Sequence, residues 1–445
     1  MLKLPSISIR LRQLKNSLVP INRLPPEILA LISTFRESEE DLMSATAVCK
    51  YWRSTLVSTP NLWNNIVCGR DVAIPLVHMY FERSRTVPVV VQIHARSSRL
   101  LSPHTERISG LTMFIENLQD LHDIAEHLSK PAPLLHTITL RFAHRDRHSL
   151  TLPPGFFEVF LSSTKALTLH GRVLSPGPCE LSRLTKFTLE SDLSSATSAD
   201  LLDSLEQIPL LQVFKALLRR RGQLDRVPGD RVVMLPRLEE ISITIDENLF
   251  RPVASPILPS LRLPSARNVS LQSIGACGAP LTPILPLSFE DRLPSLSVVP
   301  RASVALNKEK NGTVFYGLGD STFTLCTNSD TPYAFTLPTF GGLPFNSVRR
   351  LRVSFRSSTV DTSFFVNILR SMKGLECLKL KQNTVGPLGC WIGLDDQAGI
   401  CPALSTLTII DADFHTAKGC VEVLEQVRNR AGVPIANVEI IRDGN

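Results

Sequence analysis

Histidine and cysteine are the residues of this chain best suited to act as bases, nucleophiles or metal ligands, and they are scattered. The ten histidines and nine cysteines form no C-x-x-C pair and no H-E-x-x-H stretch, so the sequence predicts neither a zinc site nor a metalloprotease helix. The densest run, HRDRH at 144–148, has the composition of a solvated loop. Gly317 and Gly319 lack the third glycine of a dinucleotide-binding loop. We therefore expect no catalytic site, no cofactor and no enzyme activity.

Charge is the second source of chemistry in this sequence. The formal net charge is +7 and the isoelectric point is near 9.0, a balance that favours acidic partners. However, the 48 basic residues are interspersed with 41 acidic ones, and aromatic residues make up only 6 % of the chain. A protein that binds single-stranded nucleic acid needs clustered Lys and Arg together with stacking aromatic rings. Binding of nucleic-acid phosphates therefore stays open as an alternative but is not favoured.

A small helical module is predicted at residues 21–66. Pro26 suits the first turn of a helix, and Glu27 follows where a negative charge interacts well with the helix dipole. Apolar residues then recur at helical spacing within 28–32 and again within 42–52. A bundle this short cannot enclose so many large apolar side chains. We therefore expect part of its surface to be one half of an interface.

Three stretches of this module resemble the signature sequences of the F-box family: LPPEIL at 24–29, VCKYWR at 48–53 and STPNLW at 58–63. The resemblance implies a three-helix module that binds Skp1, the adaptor subunit of cullin-based ubiquitin ligases. It places the following residues at or beneath that contact: Leu24, Pro25, Ile28, Leu29, Ile32, Val48 and Trp52. The alternative is that these side chains only pack the module against the segment that follows.

A six-residue pattern, apolar-x-x-apolar-x-apolar, recurs through the rest of the chain. The last apolar residues of successive copies are Met113, Leu140, Leu169, Leu189, Val213, Ile243, Leu271, Val298, Leu325, Val353, Leu380, Ile409 and Ile440. Most of their separations lie within two residues of 28, inside the period of leucine-rich repeats. The pattern resembles the divergent repeats common in F-box proteins, which implies a solenoid with a parallel sheet on its concave face. The alternative is an unrelated α/β fold.

The predicted fold class is accordingly α/β: a three-helix module followed by a leucine-rich-repeat-like solenoid. The predicted segments are a basic tail at 1–20, the module at 21–66, a helical connector at 67–87 and the solenoid at 88–445, weakest at about 275–342. We expect no membrane segment because no apolar run reaches the roughly 18 residues that a spanning helix needs. The N-terminus lacks a secretory signal, so a cytoplasmic or nuclear location is expected, although the basic tail also has the composition of a mitochondrial presequence.

Four cations fall on outward positions of two successive copies near the C-terminus: Arg350, Arg352, Lys379 and Lys381. If the two strands are parallel neighbours, Arg352 and Lys379 lie side by side, an arrangement that destabilises a sheet. One interpretation is that these residues form a solvated charged surface without a binding role. The sharper one is a site for an acidic or phosphorylated segment of a target protein.

Together these patterns predict an adaptor rather than an enzyme. The module would bind a Skp1-like subunit and through it a cullin ligase, and the solenoid would bind a target protein. The alternatives are a basic solenoid that binds nucleic-acid phosphates and a scaffold that acts outside any ligase.

Overall fold

The computed structural model describes residues 14–35, 38–69, 74–128, 130–143, 163–171, 181–192, 198–219, 231–246, 260–274, 292, 301–307, 312–317, 322–328, 348–355, 362–381, 385–394, 399–411 and 413–442. The fold is mixed α/β: the described residues form helices at the N-terminus, followed by mostly parallel strands with further helices between them. The chain divides into two compact units. The first comprises Met1–Ala143 with Glu158–Thr164, and the second comprises His144–Phe157 with Lys165–Asn445.

The first unit begins with three short helices: α1 (Pro26–Thr34), α2 (Glu39–Val48) and α3 (Lys50–Val57). Helix α1 starts at a proline, as its sequence predicts, since the first helical N–H has no partner within the helix. Helix α2 starts at a capping box, in which the Ser38 hydroxyl accepts from Asp41 N–H and the Asp41 carboxylate accepts from Ser38 N–H.

Four parallel strands complete the first unit. The elements that follow the three helices are β1 (Asn65–Cys68), α4 (Ile74–Arg83), β2 (Val89–His94), β3 (Ile108–Ile115), α5 (Leu118–His127) and β4 (Thr137–Phe142). The strands pair in chain order, and one register row runs through Cys68, Ile93, Met113 and Leu140, all of them buried. Parallel order therefore begins before Met113, the first repeat recognised in the sequence.

Trp63 joins the helical module to this sheet. Its side chain is fully buried, its Nε1–H donates to the Leu56 carbonyl at 2.9 Å, and its ring meets the Tyr80 ring edge-to-face at 5.2 Å. The Arg83 guanidinium lies 4.3 Å from the centre of the Trp63 ring. Both Tyr80 and Arg83 belong to α4, so the module and the strand region share one core.

The second unit contains the longer series of strands. Its strands up to the middle of the chain are β5 (Ala166–Gly171), β6 (Lys186–Asp192), β7 (Val213–Arg219), β8 (Val233–Met234), β9 (Glu240–Asp246), β10 (Leu261–Arg262) and β11 (Asn268–Ile274), with α6 (Ser198–Glu206) between β6 and β7. Strands β5, β6, β7, β9 and β11 are parallel neighbours in that order. The two-residue strands β8 and β10 pair with each other as a separate small sheet.

The last part of the second unit alternates strands and helices. It comprises β15 (Arg350–Phe355), α7 (Thr362–Ser371), β16 (Cys377–Lys381), α8 (Val385–Ile392), β17 (Thr406–Asp411), α9 (Phe414–Arg430) and β18 (Asn437–Arg442). The four strands are parallel and pair in chain order. Within the described residues, no helix is long and apolar enough to cross a membrane.

Between these two parts the strand order changes. Strands β12 (Arg301–Asn307), β13 (Gly312–Gly317) and β14 (Thr322–Asn328) form an antiparallel meander, and the spatial order is β11, β14, β13, β12, β15. Both β14 and β12 still run parallel to their outer neighbours β11 and β15. The meander lies inside the segment that the sequence marks as least regular. The copy predicted to end at Val298 lies outside the described residues.

The register corrects one predicted repeat. Leu189 in β6 pairs with Ala216 in β7, and Ala216 pairs with Ile243 in β9, so Ala216 occupies the position that the sequence pattern assigned to Val213. The pattern failed because alanine is a weak hydrophobic signal, whereas Val213 is large enough to imitate the end of a copy. With Ala216 in place, Leu189 and Ile243 each stand 27 residues from it, so the spacing on both sides of this copy becomes regular.

A buried arginine fastens the last repeat. The side chain of Arg428, in α9, is fully buried and donates to the carbonyls of Ile400, Cys401 and Val433 at 2.9, 3.1 and 3.2 Å. Cys401 itself has a positive φ of 50°, an uncommon conformation for a residue with a side chain. The guanidinium fork thus ties the end of α9 to the turn that leads into β17.

Replacing Arg428 by lysine is expected to loosen this turn. Lysine keeps the charge but not the planar fork, so at least one of the three buried carbonyls loses its donor. We expect a loss of about 2 kcal/mol in the opening free energy of α9 and β17, the range for hydrogen bonds that involve a charged group. Amide hydrogen exchange measures it locally, and Arg430→Lys, exposed at the end of the same helix, is the matched control. Equal exchange rates in both variants would show that the Arg428 guanidinium does not stabilise this turn.

Candidate protein-interaction surfaces

The helical module leaves a group of large apolar side chains in solvent. We call this group the docking surface; its members are Ile28, Leu31, Ile32, Phe35 and Val48. Their exposed fractions run from 42 % for Ile28 to 79 % for Phe35. Single exposed apolar residues are ordinary, but five within one small module indicate a surface that a partner covers.

The side chains predicted to lie at a partner contact divide into exposed and supporting ones. Ile28, Ile32, Val48 and Pro25 are exposed, whereas Leu29 is fully buried and lies beneath the others in the core. Buried Leu29 therefore holds α1 in place, and its exposed neighbours are free to contact a partner.

Two supporting residues are held by hydrogen bonds. Leu24 is half-buried, and its carbonyl accepts from the Tyr51 hydroxyl at 2.6 Å. Trp52 is half-buried too, and its Nε1–H donates to Asn22 Oδ1 at 2.7 Å. Both bonds connect the segment before α1 to α3, so they fix how α1 is presented.

Sequence reasoning missed two members of the docking surface. Leu31 was recognised as part of the apolar face of α1 but not assigned to a contact, and Phe35 was not considered because it follows the periodic stretch. Ser33, between them, is buried and donates its hydroxyl to the Leu29 carbonyl at 3.0 Å. A small residue at 33 keeps that position inside, while the aromatic ring at 35 faces solvent.

Apolar exposure continues before the module. Leu14 and Leu18 are 63 % and 67 % exposed, although they lie in the predicted basic tail. The Asn22 side chain donates to the Asn16 carbonyl at 2.6 Å, which attaches this segment to the same Asn22 that accepts from Trp52. These residues therefore extend the apolar character of the module toward the N-terminus.

The second candidate surface lies on the sheet of the second unit. Arg350 pairs with Cys377, Arg352 with Lys379, and Ser354 with Lys381, which confirms the side-by-side placement that the sequence predicts. Leu378 and Leu380, between these positions, are fully buried. These two leucines face the core. The other face of the strands carries Cys377, Lys379 and Lys381, and we call it the open face.

Three cations of these two strands have no charged partner in the described part of the chain. Arg350 and Arg352 are exposed and Lys379 is half-buried, and within the described part of the chain no ion pair or hydrogen bond joins any of these three side chains to another residue. Arg349, by contrast, pairs with Glu376 at 3.2 Å. Within the described residues, the positive charge of Arg350, Arg352 and Lys379 is therefore not balanced by a paired carboxylate.

Acid–base groups elsewhere on the strands form small ion-pair contacts, and the Glu116 carboxylate beside His94 also pairs with Arg96 at 3.3 Å. His170 Nδ1 lies 2.7 Å from Glu190 Oε2 on the neighbouring strand, and no serine or cysteine of the described residues hydrogen-bonds His170. His94 Nδ1 lies 3.8 Å from Glu116 Oε1. Across the described ranges, no group of three or more His, Cys, Asp or Glu residues is placed to hold a metal ion. These pairs have the geometry of sheet-stabilising contacts.

Comparison with known proteins bears on the N-terminal module. A family model described as F-box-like matches residues 21–69, which contain α1, α2, α3, the turn with Trp63 and β1. No curated protein matches the chain. The match and the docking surface fall on the same residues.

Proposed function

Because residues 21–69 match an F-box-like family model, we propose that this chain is the substrate-recognition adaptor of a Skp1–cullin–F-box type ubiquitin ligase. The observation that carries the proposal is the docking surface, because five large apolar side chains in one short module are expected to need a partner. That partner would be a Skp1-type subunit, and through it a cullin ligase.

We further propose that the strand region is a leucine-rich-repeat-like solenoid whose concave face binds a target protein. Support comes from the parallel register, in which Val353, Leu380, Ile409 and Ile440 are direct neighbours at nearly constant chain spacing. Repeats of this kind cannot bury their apolar face alone and are stabilised by stacking on the next copy. The proposed target-binding residues are Arg350, Arg352, Lys379 and Lys381.

In this proposal the chain holds two proteins together and carries out no reaction itself. Tethering a target beside a ubiquitin-charged enzyme raises the effective concentration of its lysines and needs no reactive group on the adaptor. The chain would therefore be no enzyme, need no cofactor, and act in the cytoplasm or nucleus.

A stiff connection between module and strands supports such a role. Arg107, just before β3, donates to the Phe81 carbonyl at 3.3 Å, the Ser84 hydroxyl at 2.7 Å and the Val87 carbonyl at 3.1 Å. These bonds fix the turn between α4 and β2. Together with the packing of α4 on Trp63, they leave little freedom between the docking surface and the first four strands.

Titration of the intact chain with a purified Skp1-type subunit tests the proposal. Val48→Ala should weaken binding at least about fivefold, because truncating an apolar anchor at the centre of an interface costs about 1 kcal/mol or more. Val423→Ala is the matched control, since Val423 is a similarly accessible valine on α9, outside the module. Absence of binding by the parent chain, or equal affinity of the two variants, would contradict the proposal.

A further inference from the structure

A histidine lies where α4 packs against the segment that leads into β3. His104 belongs to the 3-10 turn Ser102–Arg107, and β3 begins at the next residue. The His104 ring stacks on the Phe81 ring of α4, with 4.0 Å between the ring centroids and 13° between the planes. Phe81 is buried and His104 is half-buried. We call this contact between α4 and the 3-10 turn the α4 joint.

The α4 joint already contains two guanidinium groups, those of Arg83 and Arg107. Arg83 Nη1 and Arg107 Nε are buried without a hydrogen-bond acceptor, and among the described residues neither side chain forms an ion pair with a carboxylate. Burial lowers the pKa of both groups, although both stay charged at neutral pH. The joint is therefore a place where one more positive charge is unfavourable.

The elements around His104 carry more basic groups than acidic ones. Their charged and titratable residues are His78, Tyr80, Glu82 and Arg83 on α4, Arg85 just after it, Glu106 and Arg107 on the turn of His104 itself, and Arg96 and Arg99 on the preceding turn. Glu82 and Glu106 are exposed, and neither pairs with His104 in the described part of the chain. A charge on the imidazole would thus have arginine neighbours and no paired carboxylate.

We propose that His104 is a proton-sensitive latch of the α4 joint. A neutral imidazole stacks on Phe81 without adding charge, so the joint stays closed. A protonated imidazole adds a cation beside Arg107, whose guanidinium cannot move away because it donates to the Phe81 carbonyl, the Ser84 hydroxyl and the Val87 carbonyl. Acidification should therefore loosen the turn after α4. Under the proposed function, the docking surface would then be held less firmly to the first four strands; the latch itself does not depend on that function.

The direction of the pH effect follows from which form of the joint binds the proton more tightly. Burial lowers the pKa of His104, and the nearby Arg107 and His78 lower it further. When the joint opens, the imidazole enters water and its pKa returns to the ordinary value of about 6.5. The stabilisation of the closed joint is therefore complete above that pH and is lost as the pH falls through it. A cation–π attraction between the imidazolium and Phe81 would act in the opposite direction.

Amide hydrogen exchange of the intact chain, measured from slightly alkaline to mildly acidic pH, tests the latch. The informative amides are those of Ser84, Arg85 and Val87, which donate to the carbonyls of Tyr80, Glu82 and Ser84. After correction for the intrinsic pH dependence of exchange, their protection should fall several-fold on acidification. The amides of Leu378 and Leu380 in the second unit are the internal reference and should keep their protection.

Three variants separate the titration of His104 from its stacking. His104→Phe keeps an aromatic ring on Phe81 but cannot be protonated, so its joint should be equally protected at every pH. His104→Gln removes both properties, so its joint should be loosened several-fold at every pH. His122→Phe changes an exposed histidine on α5 and should keep the pH dependence of the parent chain.

The titration of the imidazole itself is an independent readout. In a chain with isotope-labelled histidine, the ring signal that is absent from His104→Phe belongs to His104. Its midpoint should lie at a lower pH than that of the exposed His122, assigned in the same way from His122→Phe. A midpoint at or above that of His122 would contradict the latch.

Each other outcome also decides for or against the latch. Protection that rises on acidification would overturn it in favour of a cation–π contact, and the same pH dependence in His104→Phe as in the parent would assign the effect to another group. An equal loss at Leu378 and Leu380 would show global rather than local opening. Failure of a Skp1-type subunit to bind at any pH, with the pH-dependent protection intact, would overturn the proposed function and leave the latch in place.

Discussion

A chain that carries Ile28→Asp together with Ile32→Asp will fail to bind a Skp1-type subunit at concentrations that saturate the parent chain. Each isoleucine is an exposed member of the docking surface, and each aspartate would be forced into an apolar contact without a partner for its charge. Losing two anchors costs at least about 2 kcal/mol apiece, so the affinity should fall by roughly a thousandfold.

The fold should survive this change, because Ile28 and Ile32 are 42 % and 44 % exposed in the free chain. Val90→Asp with Val423→Asp is the matched control, since those valines are 45 % and 44 % exposed but lie outside the module. Calorimetric titration gives the affinity, and circular dichroism reports the fold. Tight binding by the Ile28 and Ile32 variant would exclude the docking surface as the contact.

The second large effect is expected at the centre of the C-terminal strands. Leu378 is fully buried and stands in register between Leu351 and Leu407. Leu378→Asp removes the apolar side chain and buries an unpaired carboxylate, which together should cost more than about 5 kcal/mol. We expect β15–β18 to lose their amide protection, while the first unit keeps its own, because stacked repeats depend on their nearest neighbours.

Hydrogen exchange resolved by segment distinguishes local from global loss. Lys379→Asp is the matched control, since it changes the charge by more than Leu378→Asp does but lies on the open face. Uniform deprotection from Leu24 to Ile440 in the Leu378 variant would contradict stacking of independent repeats. Full protection in both variants would show that Leu378 is not part of the core.

Much of the strand region could be predicted because each copy repeats the same alternation. Leu378 and Leu380 are buried while Lys379 is not, and this period of two is visible in the sequence itself. The pairing of Arg352 with Lys379 followed from aligning the copies and is confirmed by the register. The repeat pattern is misleading where the inward-facing residue is small, as at Ala216.

The antiparallel meander could not be predicted in the same way. Alternation of apolar residues indicates which face of a strand is buried, but it is the same read in either direction, so it cannot reveal that β13 runs against its neighbours. The sequence showed only that 275–342 is irregular.

The docking surface was predicted from an excess of apolar residues rather than from a pattern. The resemblance to the F-box family placed residues of α1 at or beneath a partner contact, but the sequence could not show that Leu29 faces inward while Leu31 and Phe35 face solvent. Which side of a short helix is covered depends on how α2 and α3 pack against it. That packing is a tertiary property and is not contained in the spacing of one helix.

The meander also has a consequence for the speed of folding. Most neighbouring strands of the second unit are joined by fewer than about thirty residues of chain, but Leu271 in β11 pairs with Leu325 in β14, 54 residues later. Each doubling of a closed loop costs about 0.6 kcal/mol of entropy, and contacts distant in sequence slow the search for the native pairing. We therefore expect the parallel strands before and after the meander to pair first, and the pairing of β11 with β14 to form last. A chain that is still being synthesised, or that is partly unfolded by stress, would then expose the unpaired edges of β11 and β15. Unpaired strand edges are the positions at which another chain can pair and aggregation begins.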